Sequence, residues 1–215
     1  MRNPARWLPL IGLLVAACSS LPTDPEAPAT APPPLSLKTT SEADLTFLNH
    51  AAGAPSLATL STSFWAVKGQ TRQASLYYHA RPGNDDSTEF VRFRVNPKTL
   101  RTRPNGTAFA TGDSILITIT VVDTVKLIVD YQPTGLHFEP KDPARLWMSW
   151  TETDRDLNND GAVNGTDDTI RLATQAVWAQ EFVGGPWAQL KTSFDFGFEQ
   201  MSVKPTSFTR YAVAY

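Results

Sequence analysis

Apolar and polar residues alternate along most of this chain. The clearest run is Ile115, Ile117, Ile119 and Val121, with Thr118 and Thr120 between them. A period of two sends successive side chains to opposite faces of an extended backbone, so the run predicts a half-buried strand. The same alternation recurs in Val91-Phe93-Val95 against Arg92 and Arg94, and in Val125-Leu127-Val129-Tyr131. It returns in Leu146-Met148-Trp150, in Phe194-Phe196-Phe198 and from Phe208 to Tyr215. Turn-forming clusters separate the runs: Pro82-Gly83-Asn84, Pro104-Asn105-Gly106, Pro133-Thr134-Gly135 and Gly184-Gly185-Pro186. About seven strands with polar outer faces need a second sheet to cover their apolar faces, which predicts an all-β, antiparallel β-sandwich. One stretch is ambiguous: Ile170, Ala173 and Val177, within Thr169 to Ala179, also suit a short helix.

The front of the chain follows another pattern. Arg2 and Arg6 precede an apolar run from Trp7 to Ala17, and the chain's only cysteine, Cys18, comes next. Positive charge, a short apolar core and small residues in that order describe a secretion signal over residues 1–17, and the run is too short to span a bilayer. Leu14-Val15-Ala16-Ala17-Cys18 resembles the bacterial lipobox, which implies that Cys18 becomes the lipidated first residue of the mature chain. Ser19, where an aspartate would otherwise follow, implies outer-membrane sorting by the same resemblance. Stable anchoring needs more than one acyl chain, because one chain binds only marginally.

Lipidation of Cys18 leaves no thiol, which excludes disulfides, cysteine nucleophiles and cysteine metal sites. Without Arg2 and Arg6 the chain holds 17 basic and 21 acidic residues, a net charge of -4. That balance gives no electrostatic reason to expect nucleic acid as a partner. Residues 18–43 carry six prolines among Ser, Thr and Ala and read as a linker. About 20 residues of polyproline-like chain would reach about 60 Å from a membrane. Residues 44–215 are then one domain of ordinary size.

Two blocks within that domain resemble a known family. In "QPTGLHFEPKDPARLWMSW", Pro133, Gly135, Leu136, Phe138, Pro143 and Leu146 fall where the ZU-type domain of zonula occludens proteins, ankyrins and netrin receptors carries its signature. Ser207-Phe208-Thr209-Arg210-Tyr211-Ala212 is similar to the ending of bacterial relatives. The resemblance implies a β-sandwich for binding or scaffolding, without a cofactor. Some relatives cut themselves before a hydroxyl residue at that ending. Here the bond would be Phe208-Thr209 with Thr209 as nucleophile, but Ser207 stands where those proteins have a histidine base, and an unassisted hydroxyl is a weak nucleophile.

Calcium takes six to eight oxygens, which a 12-residue loop supplies from positions 1, 3, 5, 7, 9 and 12 around a glycine at 6. "DLNNDGAVNGTD" fits with Gly161 at position 6: Asp156, Asn158 and Asp160 precede it, the Ala162 carbonyl, Asn164 and Asp167 follow. Val163, at position 8, is the apolar residue expected to pin the loop. The spelling is similar to dockerin loops, which implies an extracellular EF-hand-like site, although dockerins carry two copies and this chain has one. The short Asp167 and two neutral Asn ligands predict modest affinity, ~10⁻⁴ to 10⁻³ M. Asp154, Asp156, Asp160, Asp167 and Asp168 repel one another, and a structural ion would relieve that repulsion. A solvated Asx-rich turn is the competing reading.

Catalytic patterns are absent from the sequence. Asp113-Ser114 opens a strand, and no late Asp-x-x-His accompanies it to activate Ser114. His50, His79 and His137 have no metal-ligand spacing. Trp147, Trp150, Trp178 and Trp187 would serve either a carbohydrate-binding face or the core. The sequence therefore predicts a non-catalytic binding or structural module on the cell envelope, with calcium as its ion. Its partners are a membrane and an unidentified protein or glycan; self-cleavage and carbohydrate binding are the alternatives.

Overall fold

A computed structural model describes residues 38–83 and 85–215. The leader, Cys18 and most of the linker lie outside the described residues. Within them the chain forms β1 (Thr39–Thr40), β2 (Ser61–Val67), β3 (Arg72–Tyr77), β4 (Glu89–Val95), β5 (Leu100–Thr102), β6 (Ser114–Asp123) and β7 (Ile128–Gln132). There follow β8 (His137–Phe138), β9 (Arg145–Ser149), α1 (Gly165–Thr174), β10 (Ala176–Gln180), β11 (Trp187–Gln189), β12 (Ser193–Asp195), β13 (Gln200–Val203) and β14 (Arg210–Ala214).

Two antiparallel sheets face each other, as an all-β sandwich requires. One runs β1-β11-β10-β14-β7-β6-β2 and the other β12-β13-β9-β4-β3, while β5 and β8 form a small ribbon. The chain crosses from β2 to β3 at one edge through Gly69, whose φ of +100° suits a residue without a Cβ. At the opposite edge it crosses from β11 to β12.

The inward positions are the ones the alternation marks. Val91, Phe93, Val95, Ile117, Ile119, Val121, Leu146 and Met148 are all buried. At the centre, the Phe208 ring lies 5.2 Å from Phe93, 5.0 Å from Phe138 and 5.6 Å from Tyr131. Leu136, Phe138 and Leu146 are in this same core.

Three expectations change. Val125 and Leu127 belong to the turn between β6 and β7 rather than to a strand, with Leu127 at a φ of +52°. β12 stops at Asp195, leaving Phe196 and Phe198 exposed on a hairpin tip. The outer face of the larger sheet is not polar throughout. Trp178, Trp187, Ala212 and Ala214 form a second apolar cluster there, covered by Phe47, whose ring meets Trp187 edge-on at 5.3 Å. Within the segment 18–43 read as linker, Thr39 and Thr40 pair with β11.

The candidate metal centre

The loop from 156 to 167 joins the end of β9 to α1. Before it, Trp150 is buried, the Thr153 hydroxyl donates to the Trp150 carbonyl at 2.6 Å, and the Asp154 N–H donates to Asn49 O at 2.9 Å. The approach to the loop is therefore fixed to the sandwich. The sharp turn expected at position 6 occurs at Gly161, with φ +86°, preceded by Asn159 at φ +56°.

The proposed ligands are chained by short backbone bonds. Asp156 accepts from Asp160 N at 3.1 Å and from Gly161 N at 2.8 Å. Asn158 Oδ1 accepts from Asp160 N at 3.0 Å, and Asp160 Oδ1 from Ala162 N at 2.9 Å. Asp160 Oδ2 takes the Asn158 amide at 2.9 Å, while the Asn164 amide donates to Ala162 O at 3.2 Å. Asp156, Asn158, Asp160, Ala162 and Asn164 thus curl around one turn. Among the described residues, no three His, Cys, Asp or Glu side chains converge closely enough to hold an ion. The physical reason is visible in these bonds: each carboxylate is turned toward backbone N–H groups of its own loop.

Asp167 ties the two ends of the loop together. Its Oδ1 accepts from Leu157 N at 2.7 Å and its Oδ2 from Asn164 N at 2.8 Å. Asn164 also caps α1 by accepting from Thr166 N at 2.8 Å, completing a capping box with Asp167. The Asn164 N–H, then those of Leu157 and Asn158, hold the Asp167 carboxyl below the usual carboxylate range, against the opposing effect of burial. Position 12 is consequently an anion whether or not anything else binds.

Sequence reasoning missed the anchor of the loop. Val163 does not pin it; that side chain is 64% exposed, because no second loop stands beside it to pair with. Leu157 is buried instead, and its carbonyl accepts from the Tyr215 hydroxyl at 2.8 Å. An isolated leucine inside a run of acids and amides was the available signal. Burial, followed by the charges of Asp154, Asp156 and Asp167, raises the Tyr215 pKa. Of the nearby cations, Arg155 binds Glu199 at 2.7 Å, outside the loop, and Arg171 approaches Asp168 at 3.5 Å. Asp154, Asp156, Asp160 and Asp167 form no ion pair with the described residues.

The remaining candidates are placed as follows. Phe208 is in the core, and the buried Thr209 hydroxyl donates to the Gln180 carbonyl, with no imidazole bonded to it. Ser114 opens β6 without a histidine partner. His50 stacks on Tyr78, His79 is exposed, and His137 is an exposed residue of β8. Trp150, Trp178 and Trp187 are buried and have no free face for a sugar, while the Arg92 guanidinium covers Trp147 at 4.5 Å.

Compared with protein families, with curated proteins and with solved structures, the chain matches none of them.

Proposed function

We propose that this protein is a membrane-anchored surface lipoprotein whose β-sandwich, similar to a ZU-type domain, acts as a non-catalytic binding or structural module stabilised by calcium. The observation that carries the calcium part is the register of the loop. Gly161 turns at position 6, Asn164 caps the following helix at position 9, and Asp167 at position 12 clasps both loop ends. Asp156, Asn158, Asp160, the Ala162 carbonyl, Asn164 and Asp167 would hold the ion. It would supply the positive charge that this acidic turn lacks, ordering the connection from β9 to α1. The anchor rests on the placement of Cys18 at the end of the apolar run.

The non-catalytic reading is supported by the environments of Thr209 and Ser114, neither of which has a base to activate it. Fractionation of a bacterial host producing the full chain tests the anchor, and melting the released domain with chelator or with millimolar calcium tests the ion. Membrane recovery that Cys18→Ser abolishes, together with a higher melting temperature in calcium, is the expected result. A soluble wild-type protein would overturn the anchor, and identical melts would overturn the ion.

A further inference from the structure

The outer face of the smaller sheet carries a line of cations. In β4 and β9 the inward residues Val91, Phe93, Val95, Leu146 and Met148 are buried, so Arg92, Arg94, Arg145 and Trp147 point outward. Arg94 pairs directly with Arg145. Val203 pairs with Leu146, which puts Lys204 beside Arg145, one step past the end of β13. Arg94, Arg145 and Lys204 are all exposed. Neighbouring strands lie about 4.8 Å apart, so these three cations stand in a row about 10 Å long across β4, β9 and β13. Lys191, exposed and two residues before Ser193, comes next in that row by the pairing of Ser193 with Ser202.

Like charges directly opposite one another on a sheet are destabilising, and nothing in the described domain offsets them here. None of the four cations forms an ion pair with the described residues. Asp142, three residues before Arg145, accepts instead from the Asn96 amide at 3.2 Å and from Lys98 N at 3.1 Å. The neighbouring row on the same face holds Ser75, Arg92, Trp147, Ser202 and Ser193. Arg92 lies over the Trp147 ring at 4.5 Å and approaches Glu89 at 3.6 Å, so its charge has a partner and the ring is covered. What the face presents is a line of unmatched cations beside the hydroxyls of Ser202 and Ser193.

We propose that this face binds a linear acidic polysaccharide of the uronate class, laid across β4, β9 and β13 with its carboxylates against Arg94, Arg145 and Lys204. Arginine presents forked donors that match a carboxylate, and a row of separated cations on an open sheet suits an extended polyanion. A single small anion would need an enclosing site. A nucleic acid strand fits less well, because Arg92 over Trp147 leaves no bare aromatic platform for bases. A membrane fits less well too: a broad anionic surface would also meet Glu89 and Asp195 on this face, whereas a narrow chain meets the row alone. The proposal rests on the reading of the domain as a binding module, and uses neither the calcium loop nor the anchor.

Calorimetric titration with a short oligogalacturonate tests it, using the full chain carrying Cys18→Ser, in chelator. The methyl-esterified oligomer serves as the same chain without charge, and phosphatidylglycerol vesicles as an anionic surface. Saturable binding of the oligogalacturonate is expected, at least tenfold tighter than of the ester and weakened by salt. Arg145→Gln/Lys204→Gln should weaken it at least tenfold. The urea midpoint of that variant should be no lower than the parent's, because the substitutions remove like-charge contacts, and this separates loss of the site from loss of the fold. Arg94→Gln, a single change in the same row, should weaken binding in the same direction. Lys38→Gln/Lys126→Gln removes two charges at the other sheet, where Lys38 lies over Trp178 and Lys126 over Phe47, and should leave binding unchanged. Absence of oligogalacturonate binding, equal binding of the ester, indifference to the row variants, an equal loss in the Lys38/Lys126 variant, or attachment to vesicles alone would each overturn the proposal. Recovery of a shortened oligomer would uphold the site and overturn the non-catalytic reading instead.

Discussion

Tyr215→Phe isolates the bond that fastens the acidic loop to the last strand. The hydroxyl donates to Leu157 O at 2.8 Å, and Leu157 is buried, so deleting the oxygen leaves a carbonyl with little access to water. A neutral hydrogen bond contributes about 0.5–1.5 kcal/mol net, and an orphaned buried acceptor brings the loss to about 1–3 kcal/mol. In a domain of this size each kcal/mol moves the melting temperature by roughly 2–4 °C, which gives a fall of roughly 2–12 °C. The ring is retained, so packing is unchanged and the difference reports the bond alone.

Urea denaturation of the parent and the variant, with and without calcium, should show a lower midpoint at an unchanged slope. Because the bond positions Leu157 beside Asp156 and Asn158, part of the loss should reappear as weaker calcium binding. That part is at most about tenfold, the equivalent of 1.4 kcal/mol. Tyr77→Phe, which alters an exposed side chain, should stay within about 0.5 kcal/mol of the parent. A Tyr215→Phe melting temperature within about one degree of the parent in both conditions would refute the argument that this clasp orders the loop.

Phe208→Ala should cost about 3–5 kcal/mol in urea denaturation, since it opens a cavity among Phe93, Tyr131 and Phe138; a loss under about 1.5 kcal/mol would contradict that packing. Burial raises the pKa of Tyr78, Tyr131, Tyr211 and Tyr215 in the folded chain. The unfolded state therefore releases its phenolic protons first, near pH ~10, and stability present below that pH is lost as pH climbs toward the folded values. Urea midpoints should fall steadily above pH ~10, and a flat profile there would contradict the assigned burial. The mature full chain should have an intact mass with acyl groups on Cys18 and no break at Phe208-Thr209; a cleaved chain would revive the self-processing reading.

The sandwich was legible where burial is one-sided. β6 from Ile115 to Val121, β4 from Val91 to Val95 and β9 from Arg145 to Met148 alternate because one face meets the core and the other meets water or charge. β10 was ambiguous for a physical reason: Ala176, Val177 and Trp178 are all buried, since both faces of that strand are covered, and two-sided burial erases the period of two. β2 was hidden differently. Trp65 points outward at 60% exposure while Ala66 is buried, so size and burial run opposite to expectation. Phe196 and Phe198 continue the spacing of Phe194 past the end of β12, where a turn exposes them.

The acidic loop was legible as a register, because glycine and the helix cap are local features of the chain. Its fastening was not, because Tyr215 lies 58 residues from Leu157 and meets it only after the sandwich closes.

Calorimetric titration of chelator-stripped residues 36–215 with calcium tests the central claim most directly. Saturable binding of one ion in the ~10⁻⁴ to 10⁻³ M range, with a raised melting temperature and loss of both effects in Asp160→Ala, is the predicted result. Absence of heat and of any melting shift up to millimolar calcium would contradict it, and would leave 156–167 a polar turn held by its own Asx bonds.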